Sequence, residues 1–123
     1  MKTNKLAVYG TLRNGKRDTW KVDGYLMLFP GHRNFPAAML NEGQKGMIVE
    51  LIDVDESDIY NYDIYEGVDS GLYERRIVKV YNDKKEVDAW MYTIGTLLMQ
   101  HNNVFQVVPK KDWMSKECLN LRK

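Results

Sequence analysis

Two apolar arms, Tyr73 to Tyr81 and Val87 to Thr93, are separated by only a short polar cluster, Asn82-Asp83-Lys84-Lys85. Both arms are rich in β-branched and aromatic residues, and a short polar cluster between such arms is the mark of an antiparallel hairpin. Within the second arm Val87, Ala89, Met91 and Thr93 alternate with Asp88, Trp90 and Tyr92, so either face could point inward. Three more apolar runs read as strands: Leu6 to Tyr9, Tyr25 to Phe29 closed by Pro30-Gly31, and Gly46 to Asp53. Phe35 to Leu40 is a shorter, weaker one. A single helix is expected from about Glu56 to Tyr65. Asp55 serves as N-cap with Asp58 three residues on, Val54 and Ile59 occupy the positions of a hydrophobic staple, and Gly67 supplies the stop. The pattern predicts an α+β fold with a mixed, mostly antiparallel, curled or barrel-like sheet and one main helix. The segment after Thr96 is open to either reading.

The 123 residues show no repeat or linker, so one domain over 1–123 is expected, long enough to bury roughly two thirds of its unfolded surface. Eighteen basic residues stand against seventeen acidic ones. A nucleic-acid binder gathers a basic excess on one face. Here Lys110, Lys111, Lys116, Arg122 and Lys123 cluster near the C-terminus but are interrupted by Asp112 and Glu117, which reads as a solvated end. Cys118 is the only cysteine, which excludes an intrachain disulfide and fits a reducing compartment. Without a secretory signal or an apolar run of membrane-spanning length, the expectation is a soluble cytoplasmic protein with neither nucleic acid nor membrane as partner. Oligomeric state is not legible.

Behind the first apolar run lies Val8-Tyr9-Gly10-Thr11-Leu12-Arg13-Asn14-Gly15-Lys16-Arg17. Spelled Gly10, four residues, Gly15-Lys16, it approaches a P-loop. That reading fails on mechanics: Arg17 stands where a hydroxyl must ligate magnesium, and no helix pattern comes after it. An apolar strand ending in acid, Met47 to Asp53, is its one support. The other spelling, Tyr9-Gly10-Thr11-Leu12, is a backbone loop at a strand end that could hold a carboxylate or an amide oxygen. Gly10 suits either a close backbone approach or a positive φ.

Glu66 is the candidate for chemistry. On a helix it falls on the stripe of Ile59 and Tyr62. If that stripe faces the core, burial and the helix's negative end both disfavour the carboxylate's charge and raise its pKa, as a general base near neutral pH requires. If the helix instead ends at Ile64, Glu66 is a solvated loop acid. Geometry alone leaves both open.

The ordered set Tyr9-Gly10-Thr11-Leu12-Arg13, Tyr65-Glu66-Gly67 and Tyr73-x-Arg75-x-x-Val78-x-Val80 resembles the γ-glutamylcyclotransferase-like superfamily. The similar branch is that of γ-glutamylamine cyclotransferases and avirulence-induced (AIG2-like) proteins, and the match runs from Leu6 to about Thr93. The resemblance implies a small mixed barrel with flanking short helices. It implies a cyclotransferase, without cofactor or metal, that converts a γ-glutamyl amine or γ-glutamyl amino acid to 5-oxoproline and the free amine. Glu66 would then be the general base, and the Tyr9, Gly10, Thr11 and Leu12 loop would bind the glutamyl part. Tyr73 and Tyr92 are further candidates to line the pocket. The segment between Gly15 and Tyr25 departs from the family pattern, which leaves the substrate's identity open. The alternative is a non-catalytic module that binds a γ-glutamyl or related small ligand. Elsewhere the residues promise little: Arg75 can pair with Glu74 or Asp63, Arg13 can face solvent, His32 and His101 are isolated, and Cys118 reads as a buried structural thiol.

Overall fold

The computed structural model describes residues 4–29, 32–101 and 105–121, apart from the side chains of 32–35 and 100–101. Pro30 and Gly31, expected to close a strand, and Arg122 and Lys123 of the basic end lie outside the described residues. In chain order the strands are β1 (Lys5–Val8), β2 (Thr19–Val22), β3 (Gly24–Phe29), β4 (His32–Leu40), β5 (Met47–Asp53), β6 (Tyr73–Tyr81), β7 (Glu86–Ile94) and β8 (Gln106–Val107). The helices are α1 (Glu56–Tyr65), α2 (Thr96–His101) and α3 (Lys116–Leu121), with a 3-10 turn at Pro109–Lys111.

The hairpin is the frame. β6 and β7 pair without a break from Tyr73 opposite Ile94 to Tyr81 opposite Glu86. Its turn is closed by the Asn82 N–H to the Lys85 carbonyl, while the Asn82 side chain accepts from the amides of Lys84 and Lys85. Asparagine suits that position because its short amide stands in for a backbone acceptor.

Five strands, in the order β1-β5-β2-β6-β7, close into a barrel. Closure leaves no free edge, which removes the usual hazard of an exposed strand. The closing contact, Leu6 beside Trp90, is parallel, and the other pairs are antiparallel. A second sheet, β4-β3-β8, carries β4 at its edge. Pro36 is tolerated there because an edge strand need not use every donor. The sequence pattern points to no strand between Gly15 and Tyr25, yet β2 lies there. It is only four residues long, with exposed Thr19 and Lys21 alternating with half-buried Trp20 and buried Val22. Phe35 to Leu40 proves longer than expected, running from His32.

The barrel interior holds Ala7, Val22, Met47, Val49, Val80 and Met91 in one apolar cluster. Ala89 and Met91 are in that cluster, whereas Trp90 and Tyr92 sit in a second one with Leu6, Val8 and Val54, which answers the question of faces along β7. After β8 the chain adds Val108, Trp113 and Cys118 to the main core, with the thiol fully buried.

Helix α1 begins as its sequence dictates. The Asp58 N–H donates to the Asp55 side chain at 2.8 Å, and the Asp55 N–H donates to Asp58 at 3.0 Å. Val54 and Ile59 share the second cluster, as a staple should. At the other end Gly67 adopts φ +65°, where a Cβ would also lie 2.8 Å from Leu72 Cδ1. Only glycine ends the helix there without strain. No residue of α1 is fully buried, so it rests on the barrel wall through Ile59 and Tyr62. Among the described residues no helix is long and apolar enough to cross a membrane.

Candidate active site

A cavity of 430 Å³ opens between the end of β1 and the C-terminal end of α1. That size falls within the range of small-ligand pockets, roughly 300–1,000 Å³. Leu6, Val8, Phe29, Leu72 and Leu98 make its walls apolar. Among the described lining residues Glu66 alone carries a charged side chain.

Glu66 is the C-cap of α1, and its N–H donates to the Tyr62 carbonyl at 2.8 Å. The helix therefore does not fray before reaching it, and Tyr62, Tyr65 and Glu66 enter the cavity together. Burial raises the Glu66 pKa from its ordinary 4.5 to about 7. Arg75 forks onto Asp63 at 2.8 and 3.2 Å and stacks 4.1 Å over the ring of Trp90.

Tyr9, Gly10, Thr11 and Leu12 line the same cavity as Glu66. Of the residues expected to bind a ligand, all six (these four with Tyr73 and Tyr92) line the one cavity. Gly10 is there for close approach rather than for a positive φ. A Cβ would sit 2.8 Å from Pro36 Cγ, so the space is taken by the protein's own proline. Among the described residues none accepts a hydrogen bond from the N–H groups of Gly10, Thr11 or Leu12. Gly10 is half-buried and Thr11 and Leu12 are exposed, so these donors are open to solvent or to a ligand.

The next turn of the loop disposes of a phosphate. The amides of Asn14 and Gly15 both donate to the carboxylate of Glu50 at 3.1 Å, and the chain then enters strand β2 rather than a helix. The cradle a nucleotide would need is already filled by an internal anion. Magnesium-ATP is therefore expected to leave the thermal midpoint unchanged, and a rise of several degrees would contradict this arrangement. Arg13 does not face solvent: its side chain is 4% exposed and bridges Glu50 at 2.9 Å and Asp112 at 2.6 Å.

The tyrosines are less free than their number promises. Tyr9 donates to the Tyr92 carbonyl at 2.6 Å, Tyr73 to the Pro36 carbonyl at 3.0 Å and Tyr92 to Asp63 at 2.7 Å. Each hydroxyl proton is committed within the protein, leaving oxygen lone pairs as acceptors. Burial raises all three pKa values. Glu66 adds to the rise at each, and for Tyr92 the bond to Asp63 contributes too. They remain neutral near pH 7 and can accept from an ammonium group.

The walls supplied by Phe29, Pro36 and Leu98 come from other parts of the chain and carry no local signal in the sequence. The buried acid Glu50 was legible only as part of an apolar strand. The side chains of His32 and His101 lie outside the described residues. Among the described residues no group of three His, Cys, Asp or Glu side chains could hold a metal ion.

Comparison with known proteins agrees with this fold. A family model described as gamma-glutamyl cyclotransferase, AIG2-like, matches residues 6–115. No curated protein matches. Among solved structures, an AIG2-like protein from Mus musculus superposes with a TM-score of 0.61 at 21% identity, over 78% of this chain and 80% of that one. YkqA from Bacillus subtilis gives a TM-score of 0.70 at 21% identity, over 98% of this chain, which spans only 43% of YkqA. A gamma-glutamyl cyclotransferase gives 0.56 at 15% identity over 96% of both chains. At such identities these structures speak for the fold, and the family match over most of the chain settles membership: the chain belongs to the gamma-glutamyl cyclotransferase, AIG2-like family.

Proposed function

We propose that the chain is a cyclotransferase converting a γ-glutamyl amine or γ-glutamyl amino acid to 5-oxoproline and the free amine, with Glu66 as general base. The observation that carries this reading is a carboxyl whose pKa burial raises to about 7, in an apolar cavity also lined by a loop whose backbone donors have no acceptor among the described residues. The substrate's α-ammonium enters beside Glu66, the one charged group among the described lining residues, and gives up a proton to it. The freed nitrogen attacks the γ-carbonyl carbon of the same molecule. A C–N bond forms and the carbonyl electrons move onto oxygen. As the carbonyl re-forms, the bond to the leaving amine breaks and Glu66 returns the first proton to that amine. The attacking nitrogen's second proton passes to it as well, so that it departs as an ammonium and the ring nitrogen is left as a neutral amide. Because nucleophile and electrophile belong to one molecule, the protein's task is to select the folded rotamer and carry a proton.

Magnitudes favour this assignment. An α-amine near ~8 and an ordinary Glu near ~4.3 differ by about 5 kcal/mol in proton affinity, at ~1.36 kcal/mol per unit. With Glu66 at about 7 the gap is close to ~1.4 kcal/mol. The N–H groups of Gly10 to Leu12 are suited to the α-carboxylate or the developing oxyanion, since aimed backbone donors stabilise such charge without reorganising. Gly10→Ala is expected to press on Pro36, whose carbonyl anchors Tyr73, and to raise KM several-fold more than it lowers kcat. Unchanged KM in steady-state kinetics would separate this loop from the substrate.

The deciding experiment incubates the protein with a panel of γ-glutamyl amines, γ-glutamyl amino acids and glutathione, and measures 5-oxoproline. Release from at least one class, above a protein-free control, is expected. Saturable binding of panel members with no release would favour a pocket that only binds.

A further inference from the structure

We infer that Glu50, which does not touch the cavity, is a positioning residue for the ligand-holding loop; the inference rests on the function proposed above. Glu50 lies on β5 between Val8 of β1 and Thr19 of β2, and it is fully buried. An ionised carboxylate in such a place survives only if its lone pairs are satisfied. Here they are, two donors to each oxygen. Oε1 accepts from the Asn14 N–H at 3.1 Å and Arg17 at 2.9 Å, and Oε2 from Arg13 at 2.9 Å and the Gly15 N–H at 3.1 Å. Burial alone would raise the Glu50 pKa, but Arg13, the two amides and Arg17 together bring it below the ordinary value. Gly15, at φ +74°, lets consecutive N–H groups curl around one anion, the geometry of a nest.

All four donors come from one short stretch, Arg13 to Arg17, directly continuous with the cavity-lining Tyr9 to Leu12. The same stretch reaches back to that half of the loop. The Arg13 N–H donates to the Gly10 carbonyl at 3.0 Å, and the Arg17 guanidinium to the Leu12 carbonyl at 3.4 Å. In a trans peptide the N–H points opposite to the preceding carbonyl. Holding the Gly10 carbonyl toward Arg13 therefore turns the Thr11 N–H the other way, and it is this orientation that Glu50 maintains. Arg13 also ties Asp112, which accepts the Met114 N–H at 2.9 Å, so the segment after β8 is wired into the loop.

The test uses two variants, Glu50→Gln and Arg17→Ala. The second removes one of the four donors to Glu50, together with the long contact to the Leu12 carbonyl, from a side chain already 35% exposed, so it should fold even where the first does not. Three readouts are taken: amide hydrogen exchange at Asn14 and Gly15, affinity for 5-oxoproline as probe, and the KM, kcat and pH profile of whichever panel substrate turns over. Exchange should quicken about tenfold or more in either variant, and KM and 5-oxoproline affinity should worsen about tenfold, the usual scale for one charge-assisted bond. The kcat should move less than about threefold, and the acid limb should stay at the wild-type midpoint, because Glu66 is untouched. A merely structural role would lower stability without this split. Variants that match wild type in KM and probe affinity overturn the inference while leaving the proposed function standing. A wild-type protein that neither releases nor binds 5-oxoproline overturns both.

Discussion

Glu66→Gln is expected to reduce 5-oxoproline formation by ~10²–10⁴, the range lost with a general base, while substrate affinity and fold persist. The swap keeps the volume and removes only the proton acceptor. The same variant carries a second, independent signature. In the wild type the folded-state pKa of about 7 exceeds the ordinary 4.5, so between these values the folded form binds the extra proton. Stability from this group is therefore greatest below about pH 4.5 and declines as pH rises through 7. Glutamine cannot undergo that decline. The full shift would correspond to about 3 kcal/mol, and discounting for partial exposure leaves roughly 1–2 kcal/mol by which the variant should exceed wild type near about pH 8.5. Near about pH 4 the difference should vanish. Urea midpoints at the two pH values test this, and near-normal turnover by the variant would remove Glu66 as the base.

Asp63→Ala should produce the next largest effect, although Asp63 does not line the cavity. It accepts from Tyr92 and from both arms of Arg75, and so fastens α1 to β6 and β7 one turn before Glu66. Loss of the carboxylate leaves a half-buried guanidinium and a phenol unpaired, a destabilisation of about 2 kcal/mol. Because a misplacement of about 1 Å can cost ~10² in rate, kcat should fall ~10- to 100-fold. The Tyr92 carbonyl also anchors Tyr9, so the disturbance reaches a second residue of the cavity lining. A kcat within about twofold of wild type would show that α1 keeps its place without this tie.

The parts of the fold that are legible in the sequence are those written locally. The hairpin announces itself through two apolar arms and Asn82, and α1 through Asp55, Asp58 and Gly67, because turns and caps depend on residues a few positions apart. Glu66 is singled out by the family resemblance, because helical spacing alone leaves it either on the core-facing stripe or as a solvated loop acid. Strand β2 escapes notice because exposed Thr19 and Lys21 leave only Trp20 and Val22 facing inward, too few for a periodic signal. Closure of the barrel through Leu6 and Trp90 joins residues far apart in the chain, which no local pattern encodes. Arg13 has the composition of a surface residue and is buried only because Glu50 and Asp112 meet it from distant strands and turns. Tyr9, Tyr73 and Tyr92 do line the cavity, but that their protons are committed to the Tyr92 carbonyl, Pro36 and Asp63 is tertiary information.

Whether a carboxyl made weakly acidic by its cavity drives an intramolecular attack is tested most directly by the pH dependence of kcat/KM. Ionised Glu66 must meet the protonated α-amine, so the rate should rise as Glu66 loses its proton and fall as the substrate's ammonium is lost near ~8. The expected profile is a narrow bell whose acid limb has its midpoint at about 7. An acid limb at about 4.3, the value of an ordinary glutamate in water, would contradict it.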